Sequence, residues 1–312
     1  MSLSNEKVKL DEVLKFLFST SKKVLVNLLN GIFEENFSSD EVKLSVSNNE
    51  FVMDTFDTLR GDVFFDILNN ESEKISYHLE FQTRNDSTMI IRMFEYGFKK
   101  AKEQAGNNDD FKTVYFPKQK VIFFEENRNI SDIIRLKIIL PSGDAFIYSV
   151  PVMKYWEYDD KDLLENRMYP LLPLQLFNLR RELEQYRRKN DIDKIKELSI
   201  KAREIAERIA NESKELFEKN EIVGDDFHKM LLAIQNLIEY LNRNYFNDEK
   251  IEEEVIRVTK TLFDPEVEKR KAIEIAKNLL DILDNDTIAL KTGLELEEVI
   301  KLRNASQSKD SN

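Results

Sequence analysis

The chain has 312 residues, 41% hydrophobic and 34% charged, which suffices for one large or two ordinary domains with a substantial core. It has no cysteine, which excludes disulfides, zinc–thiolate sites and a cysteine nucleophile and is consistent with a reducing cytoplasm. Its net charge of −12 argues against broad, non-specific nucleic-acid binding, since such binding needs Lys and Arg to neutralise phosphates, although a basic groove can be local.

Neither a secretion signal nor a membrane-spanning segment is predicted. The first residues, MSLSNEKVKLDEV, are polar and acidic and lack an apolar signal segment. No run of about 18 apolar residues occurs, as a spanning helix would require. We therefore expect a cytoplasmic protein without membrane contacts.

The first predicted element is an amphipathic helix from Lys9 to about Phe33, because apolar residues recur at helical spacing. Asp11 lies off the apolar stripe, in the first turn, where the helix dipole favours a carboxylate. Short strand-like segments follow between Phe37 and Arg60. We interpret Asp54 and Asp57 there as loop or edge residues.

The next stretch, Asp62 to Tyr96, predicts a strand, a polar turn, a second strand and a helix. Side chains alternate between the two faces of a strand, so His78, Glu80 and Gln82 point one way on the second strand. The turn is centred near residues 71–72, and folding back there brings Asp62 close to Glu80 and Gln82.

Two carboxylates and an amide thus converge, and oxygen ligands of this kind suit Mg²⁺, which one or two carboxylates plus substrate phosphate commonly hold. The alternative for Asp62 is a capped strand end, and for Glu80 a solvated sheet face. Asp66 shares the face of Asp62 and is a weaker candidate. No second histidine lies near His78 in sequence, so a histidine metal site is not expected.

The helix after the second strand has Asp86 or Ser87 as its expected N-cap. Arg92 and Tyr96 are four residues apart and therefore share a face, with Lys99, Lys100 and Glu103 further along it. This face is either a phosphate-facing row beside the metal or an ordinary exposed surface.

Strands return between Tyr115 and Val150. The segments RLKIIL and FIYSV flank the turn sequence PSGD and predict a hairpin that extends or covers the sheet. The segment YSVPVMKYWEY then closes a first domain, residues 1–158.

A highly charged helical region follows at residues 159–275. Its apolar stripes could support a homo-oligomer, and its RRELEQYRRK cluster is either a contact for a DNA backbone or a solvated face. Residues 276–304 predict a short helix-turn-helix-like element around Ala289 and Gly293, either for reading DNA or for packing. Residues 305–312 are polar and are expected to be a disordered tail.

Several of these segments together resemble a known family. The pair Gly61–Asp62, the segment His78–Thr83 and the helix Met89–Phe98 are similar to the PD-(D/E)XK nuclease superfamily, in its branch with Gln in place of Lys. That branch is the Rpn family of recombination-promoting nucleases and proposed transposases. The first helix, with Asp11 and Lys15, resembles the family's opening helix. Later segments match in order: YFPKQKVIFFEENRNI, YSVPVMKYWEY, LLPL and TGLELEEVIKL.

The resemblance implies an α/β restriction-endonuclease-like core with a mixed central sheet, followed by an α-helical C-terminal region. It implies a Mg²⁺-dependent DNA endonuclease, with Mn²⁺ as an alternative metal, associated with recombination or mobile elements. Asp62, Glu80 and the backbone carbonyl of Phe81 would hold the metal, and Gln82 would place the attacking water.

Three further residues are accessory candidates. Arg92 would steady the phosphate, and Asp11 and Tyr96 would assist. The alternative is a catalytically degenerate nuclease fold that binds DNA or protein, which the acidic charge and the absence of the Lys favour.

Overall fold

A computed structural model of the chain describes residues 13–14, 16–55, 58–69, 73–83, 85–103, 105–107, 112–262 and 265–307. Its strands are β1 Lys43–Thr55, β2 Thr58–Leu68, β3 Lys74–Gln82, β4 Gly106–Asn107, β5 Lys112–Thr113, β6 Lys118–Phe123, β7 Ile133–Ile139 and β8 Ala145–Lys154. Its α-helices are α1 Lys22–Phe33, α2 Met89–Glu103, α3 Asp160–Glu165, α4 Arg180–Lys189, α5 Ile192–Glu218, α6 Gly224–Leu241, α7 Glu249–Leu262, α8 Pro265–Leu279, α9 Asn285–Thr292 and α10 Leu296–Gln307.

Six strands form one mixed sheet in the order β1-β2-β3-β6-β8-β7. The strands β1, β2 and β3 pair antiparallel, β3, β6 and β8 pair parallel, and β7 pairs antiparallel with β8 at the edge. Parallel neighbours need a crossover connection, and α2 lies in the connection between β3 and β6. The predicted α/β class, the mixed sheet and the helical second half are thus confirmed.

One face of the sheet packs against most of the helices. Val63, Phe65, Leu79 and Phe81 are fully buried there, in a single hydrophobic core that continues through α1, α4, α5, α6 and α7. The N-terminal helix runs so close to the helical region that a Cβ atom on Gly31 would lie 2.4 Å from the Asn166 carbonyl oxygen. The helical region therefore completes the core of the sheet.

The other face carries α2. Its Met89 and Met93 pack on Val121 and Phe123 of β6 and on Val150 of β8. Because side chains alternate along β3, this is also the face of His78, Glu80 and Gln82. Helix α2 thus covers the face of the sheet that carries His78, Glu80 and Gln82.

The prediction of a single helix from Lys9 to Phe33 is wrong in one respect, because the helix is interrupted before α1 begins at Lys22. Described residues between 13 and 17 are helical, and the chain then turns at Phe18–Thr20. Ser19 and Thr20 donate their hydroxyls to the carbonyls of Phe16 and Leu17, which competes with helix continuation. Asp11 and Lys15 lie outside the described residues.

The strand predictions need one change. The short segments expected between Phe37 and Arg60 are in fact one long edge strand, β1, followed by the start of β2. The pairing of β1 with β2 shifts register at Ser47–Glu50 and at Met53–Thr55. The predicted hairpin around PSGD is confirmed as β7 and β8 at the opposite edge. Gly143 in its turn has φ +90°, and its N–H donates to the Leu140 carbonyl.

Two helical predictions also change. Tyr169–Leu179 is 3₁₀ rather than α, because Pro170 and Pro173 lack the N–H that an α-helix needs. The helices α9 and α10 meet as expected at Gly293, which has φ +71°. Helix α10 extends to Gln307, so residues 305–307 are not part of a disordered tail, since Arg303 donates to the Leu280 and Leu283 carbonyls and holds the helix in place.

The remaining tail residues, 308–312, lie outside the described part of the chain. Within the described residues, no helix has both the length and the apolar character needed to cross a membrane.

Candidate active site

Asp62 and Glu80 lie directly opposite each other on β2 and β3. Gln82 is opposite Arg60 in the same register, and His78 is opposite Phe64. Directly opposite residues of an antiparallel pair have Cβ atoms about 4.5–5.5 Å apart and point to the same face. The fold-back at the polar turn therefore makes the two carboxyl groups neighbours, as predicted.

The β3 side chains on this face are almost inaccessible to solvent. Glu80 is 4% exposed and Gln82 is 1% exposed, whereas Asp62 is half-buried. The alternative of Glu80 on a solvated sheet face is therefore wrong. A carboxylate buried to this extent must be paired, hydrogen-bonded or bound to a cation.

Arg92 is the cation beside Glu80. Its Nη2 lies 3.3 Å from Oε1 of Glu80, and its Nη1 lies 3.5 Å from Oδ2 of Asp86. Asp86 in turn accepts from the N–H and the hydroxyl of Thr88, two residues further on, which is a local turn before α2. Because α2 begins at Met89 and the Thr88 carbonyl accepts from the Arg92 N–H, Thr88 and not Asp86 or Ser87 is the residue that precedes the first turn. The start of α2 thus places a guanidinium group against the candidate metal ligand.

Tyr96 belongs to the same electrostatic environment. Burial raises the pKa of its hydroxyl, the carboxylates of Glu80 and Asp62 raise that pKa further, and Arg92 lowers it. Its ring also contacts His78 edge-on, with the ring centroids 6.0 Å apart. Asp62, Glu80, Arg92 and Tyr96 therefore gather at one place on the sheet.

Asp66 and Lys100 stand apart from this group. Burial acts to raise the pKa of Asp66, but hydrogen bonds from Ser76, Lys100 and Lys74 keep it below its usual value. The Lys100 Nζ lies 3.1 Å from Asp66 Oδ2, and its side chain is buried. Lys100 is therefore not part of an exposed, phosphate-facing row, and Asp66 is the centre of a structural ion-pair cluster.

Phe81 contributes to this face only through its backbone. Its ring packs on the opposite face against Phe18, at 4.8 Å between centroids, and against Phe124. Its backbone lies in register between Gly61 of β2 and Ile122 of β6.

No family model, curated protein or solved structure matches this chain. The resemblance to the Rpn family therefore stays an expectation carried by the motifs themselves.

His78 is fully buried and stacks on Phe64, with parallel rings 4.1 Å apart. Burial lowers the pKa of His78 to about 3, so the ring is neutral at pH 7. Its Nε2 lies 4.0 Å from Glu80 Oε2, which is therefore not an ion pair. Its Nδ1 meets Gln119 of β6, whose amide also meets Tyr148 of β8. Both residues lie in segments that resemble the family, but the sequence predicted no role for either of them.

The donor chemistry of the site fits one class of metal. In the parts of the chain that the structure describes, no group of three or more His, Cys, Asp or Glu could hold a metal ion. Asp62 and Glu80 alone do not fit a zinc site closed by three or four protein ligands. They fit Mg²⁺, which is often held by one or two carboxylates and otherwise keeps water or takes phosphate oxygens.

An open cleft of about 570 Å³ lies beyond the carboxyl ends of the parallel strands β3 and β6. Thr83, the residue after Gln82, lines it together with Asn85, Glu125, Glu126, Asn127, Arg128, Asn129 and Arg181. Arg181 also donates to the Glu126 carbonyl, at 2.6 Å. The cleft adds amide and guanidinium donors beside the strand ends, which the sequence patterns did not indicate.

A second cleft, of about 490 Å³, contains Asp160, Arg208 and Glu212. Burial, together with the negative charge of Asp160, raises the pKa of Glu212 to about 7, although Arg208 opposes this shift. The Oε2 atom of Glu212 has no hydrogen-bond partner among the described residues. Glu212 is therefore a carboxyl group that is more easily protonated in the folded than in the unfolded chain.

Replacing Glu212 by Gln should raise the free energy of unfolding near pH 8 and change it little near pH 5. Because the folded pKa exceeds the unfolded value of about 4.3, wild-type stability falls as the pH rises from about 4.3 to 7. We expect Glu212→Gln to be more stable than wild type by about 1–2 kcal/mol near pH 8, after a discount for solvent screening. Urea unfolding near pH 5 and pH 8 measures this difference.

The control for this pair of measurements is Glu204→Gln, an exposed glutamate on the same helix. It should change stability equally at the two pH values. A Glu212→Gln variant that is no more stable than wild type near pH 8 would contradict the assignment.

Proposed function

We propose that this protein is a metal-dependent DNA endonuclease with a restriction-endonuclease-like core of the PD-(D/E)XK type. The observation that supports this most is the direct opposition of Asp62 and Glu80 on adjacent strands, with Gln82 two residues further along the same face. An association with recombination or mobile elements, and self-association through the helical region, remain predictions from the motifs and the apolar stripes.

Asp62 and Glu80 would hold Mg²⁺, or Mn²⁺ as an alternative, with the Phe81 carbonyl as a third oxygen donor. When bound, such an ion polarises a phosphoryl oxygen and lowers the pKa of a bound water. The chain's own task is to present two oxygens on a rigid strand pair. β3 is suited to this because it lies inside the sheet, between β2 and β6.

Gln82 would orient the attacking water. Its amide can both donate and accept hydrogen bonds, but it carries no charge. The family's Lys would also offset negative charge at the phosphate, so another cation is needed here. Arg92 is the nearest candidate, since its Nη2 already lies 3.3 Å from Glu80. With five N–H donors, a guanidinium can keep Asp86 and still contact a phosphate oxygen.

The DNA backbone would follow the cleft at the carboxyl ends of β3 and β6. Arg128 and Arg181 offer charge there, and the neighbouring Asn85 and Asn127 offer neutral amide donors. Glu125 and Glu126 line the same cleft, and Glu126 pairs with Arg181, so the cleft offers hydrogen-bond donors for phosphate oxygens but no net positive charge to offset the net charge of −12.

A second candidate function is a catalytically degenerate fold that binds DNA or protein without cutting it. The ion pair between Arg92 and Glu80 favours it, because the guanidinium neutralises the carboxylate that would otherwise bind a metal. The absence of a Lys at the position of Gln82 favours it as well.

Nicking of supercoiled plasmid by the purified chain separates the two functions. We expect nicking with Mg²⁺ or Mn²⁺ and none with EDTA. Intact plasmid under every metal condition, with DNA retained in a gel-shift assay, would support the degenerate alternative. Intact plasmid without DNA binding would contradict both functions for DNA.

A further inference from the structure

The amide of Gln119 has a defined orientation. One of its terminal atoms lies 2.8 Å from the Met93 carbonyl oxygen, which can only accept a hydrogen bond. That atom must therefore be the nitrogen, Nε2, and the other atom is Oε1, which accepts from the Tyr148 hydroxyl. Helix α2 leaves room for this amide only because residue 97 is glycine, since a Cβ atom there would lie 2.7 Å from Oε1.

The orientation of Gln119 determines the tautomer of His78. The same Nε2 lies 2.9 Å from Nδ1 of His78, and its second hydrogen is available to that ring atom. Because an amide nitrogen only donates, Nδ1 must accept and carries no proton. The proton of the neutral ring is therefore on Nε2.

This Nε2–H group has an unusual environment. His78 is 0% exposed, and its Nε2 has no hydrogen-bond partner among the described residues. The nearest acceptor is Oε2 of Glu80, at 4.0 Å, which is too long for a hydrogen bond. A buried donor without a partner is unfavourable, so the N–H group beside the candidate metal ligand is an unsatisfied donor.

We propose that His78 is a positioning residue for Glu80. Its Nε2–H, held in place by Gln119 and Tyr148, donates to Oε2 of Glu80 when that carboxylate turns from Arg92 toward Asp62 to bind a divalent cation. The hydrogen bond relieves the unpaired donor and leaves Oε1 directed at the cation. This inference about Glu80 rests on the proposed function, which it extends. The tautomer of His78 follows from the contacts of Gln119 and does not depend on that function.

The tautomer can be measured by nitrogen NMR of the metal-free chain. The sequence has only two histidines, so a His228→Gln variant leaves His78 as the single imidazole signal. We expect Nε2 to be protonated and Nδ1 to be unprotonated. Addition of Mg²⁺ should move the Nε2–H proton downfield as the bond to Glu80 forms. Protonation on Nδ1, or an unchanged Nε2–H shift at saturating Mg²⁺, would overturn the proposal.

The positioning role is tested by Mn²⁺ affinity. His78→Phe keeps a ring to stack on Phe64 but lacks the N–H, and outer-shell partners of metal ligands typically contribute about 10- to 100-fold in affinity. We expect a loss of that size in His78→Phe by calorimetric titration, and none in His228→Gln. Since Phe cannot serve as an acceptor for Gln119, His78→Gln is the second variant, and its amide donor should restore part of the affinity.

The outcomes distinguish the inference from the function. Wild-type protein that neither binds Mn²⁺ nor nicks DNA would overturn both together. Wild-type protein that nicks DNA, beside a folded His78→Phe variant with equal Mn²⁺ affinity, would overturn the positioning role alone. Weaker Mn²⁺ binding in His78→Phe, with partial recovery in His78→Gln, supports the role.

Discussion

Glu80→Gln should abolish metal-dependent nicking while the fold survives. The amide has nearly the shape of the carboxylate but lacks the charge that holds a divalent cation, and Glu80 is only 4% exposed, so no solvent group substitutes for it. Loss of one stabilising group in an active site typically costs about 10²–10³-fold in rate, and we expect at least this loss. The measurement is the rate of plasmid nicking at saturating Mg²⁺.

Asp62→Asn should behave in the same way, because the two residues lie opposite each other and would hold one ion. Groups that act as a unit are not additive, so the double variant should be no slower than the slower single variant. Independent, multiplying losses would contradict a shared cation.

Asp66→Asn is the matched control, since Asp66 lies on the same strand and face as Asp62 but is paired with Lys74 and Lys100. We expect it to lower the melting temperature and to leave the nicking rate of the folded protein unchanged. If Asp66→Asn lost as much activity as Glu80→Gln, the losses would reflect the charge of the whole face and not a metal site.

Arg180→Ala should destabilise the protein by about 3–5 kcal/mol, the usual effect of breaking a buried ion pair from one side. Arg180 is 1% exposed, and its Nη1 and Nη2 lie 3.0 Å from Glu125 and 3.3 Å from Glu184. Glu125 follows β6 and Glu184 lies on α4, so the guanidinium joins the end of the sheet to the helical region. Removal leaves a cavity and two carboxylates without this cation.

Arg181→Ala is the control for this prediction. Arg181 is the next residue, but its side chain is 58% exposed, and its partner Glu126 is 50% exposed. Exposed ion pairs contribute about 0–1 kcal/mol, so we expect a correspondingly small effect. Urea unfolding at constant m-value measures the free energy of unfolding of both variants. The loss in Arg180→Lys should be intermediate, because Lys keeps the charge but lacks the planar guanidinium that contacts both glutamates. Equal losses in Arg180→Ala and Arg181→Ala would contradict the buried junction.

Local patterns were sufficient for the centre of the site. Alternation along β3 and the polar turn before it place Glu80 and Gln82 on one face and bring Asp62 opposite Glu80. The spacing of Arg92 and Tyr96 places both near these carboxylates. These relations depend on the two-residue period of a strand, on the helical repeat and on one short connection. All three are local features of a segment of about 35 residues.

Local patterns were insufficient wherever a segment is held by a distant one. The helical spacing of apolar residues continues through Phe18–Ser21, yet the helix is interrupted there. Ser21 donates its N–H and its hydroxyl to Asp226, 205 residues away in sequence. The row Arg92–Tyr96–Lys100 is similar. Lys100 follows the helical spacing, but it is buried against Asp66 of β2, whose other partners, Ser76 and Lys74, lie on β3.

The sequence by itself therefore determined the α/β class, the strand pair and the two carboxylates that face each other on it. Only the tertiary structure decided that Gln119 and Tyr148 support His78, and that Arg180 joins Glu125 to the helical region. The physical reason is that β6 is the parallel neighbour of β3 and β8 is the parallel neighbour of β6, and each of the two is reached by a long connection. Their order in the sheet follows from burying the apolar surface of the whole chain, which no short segment encodes.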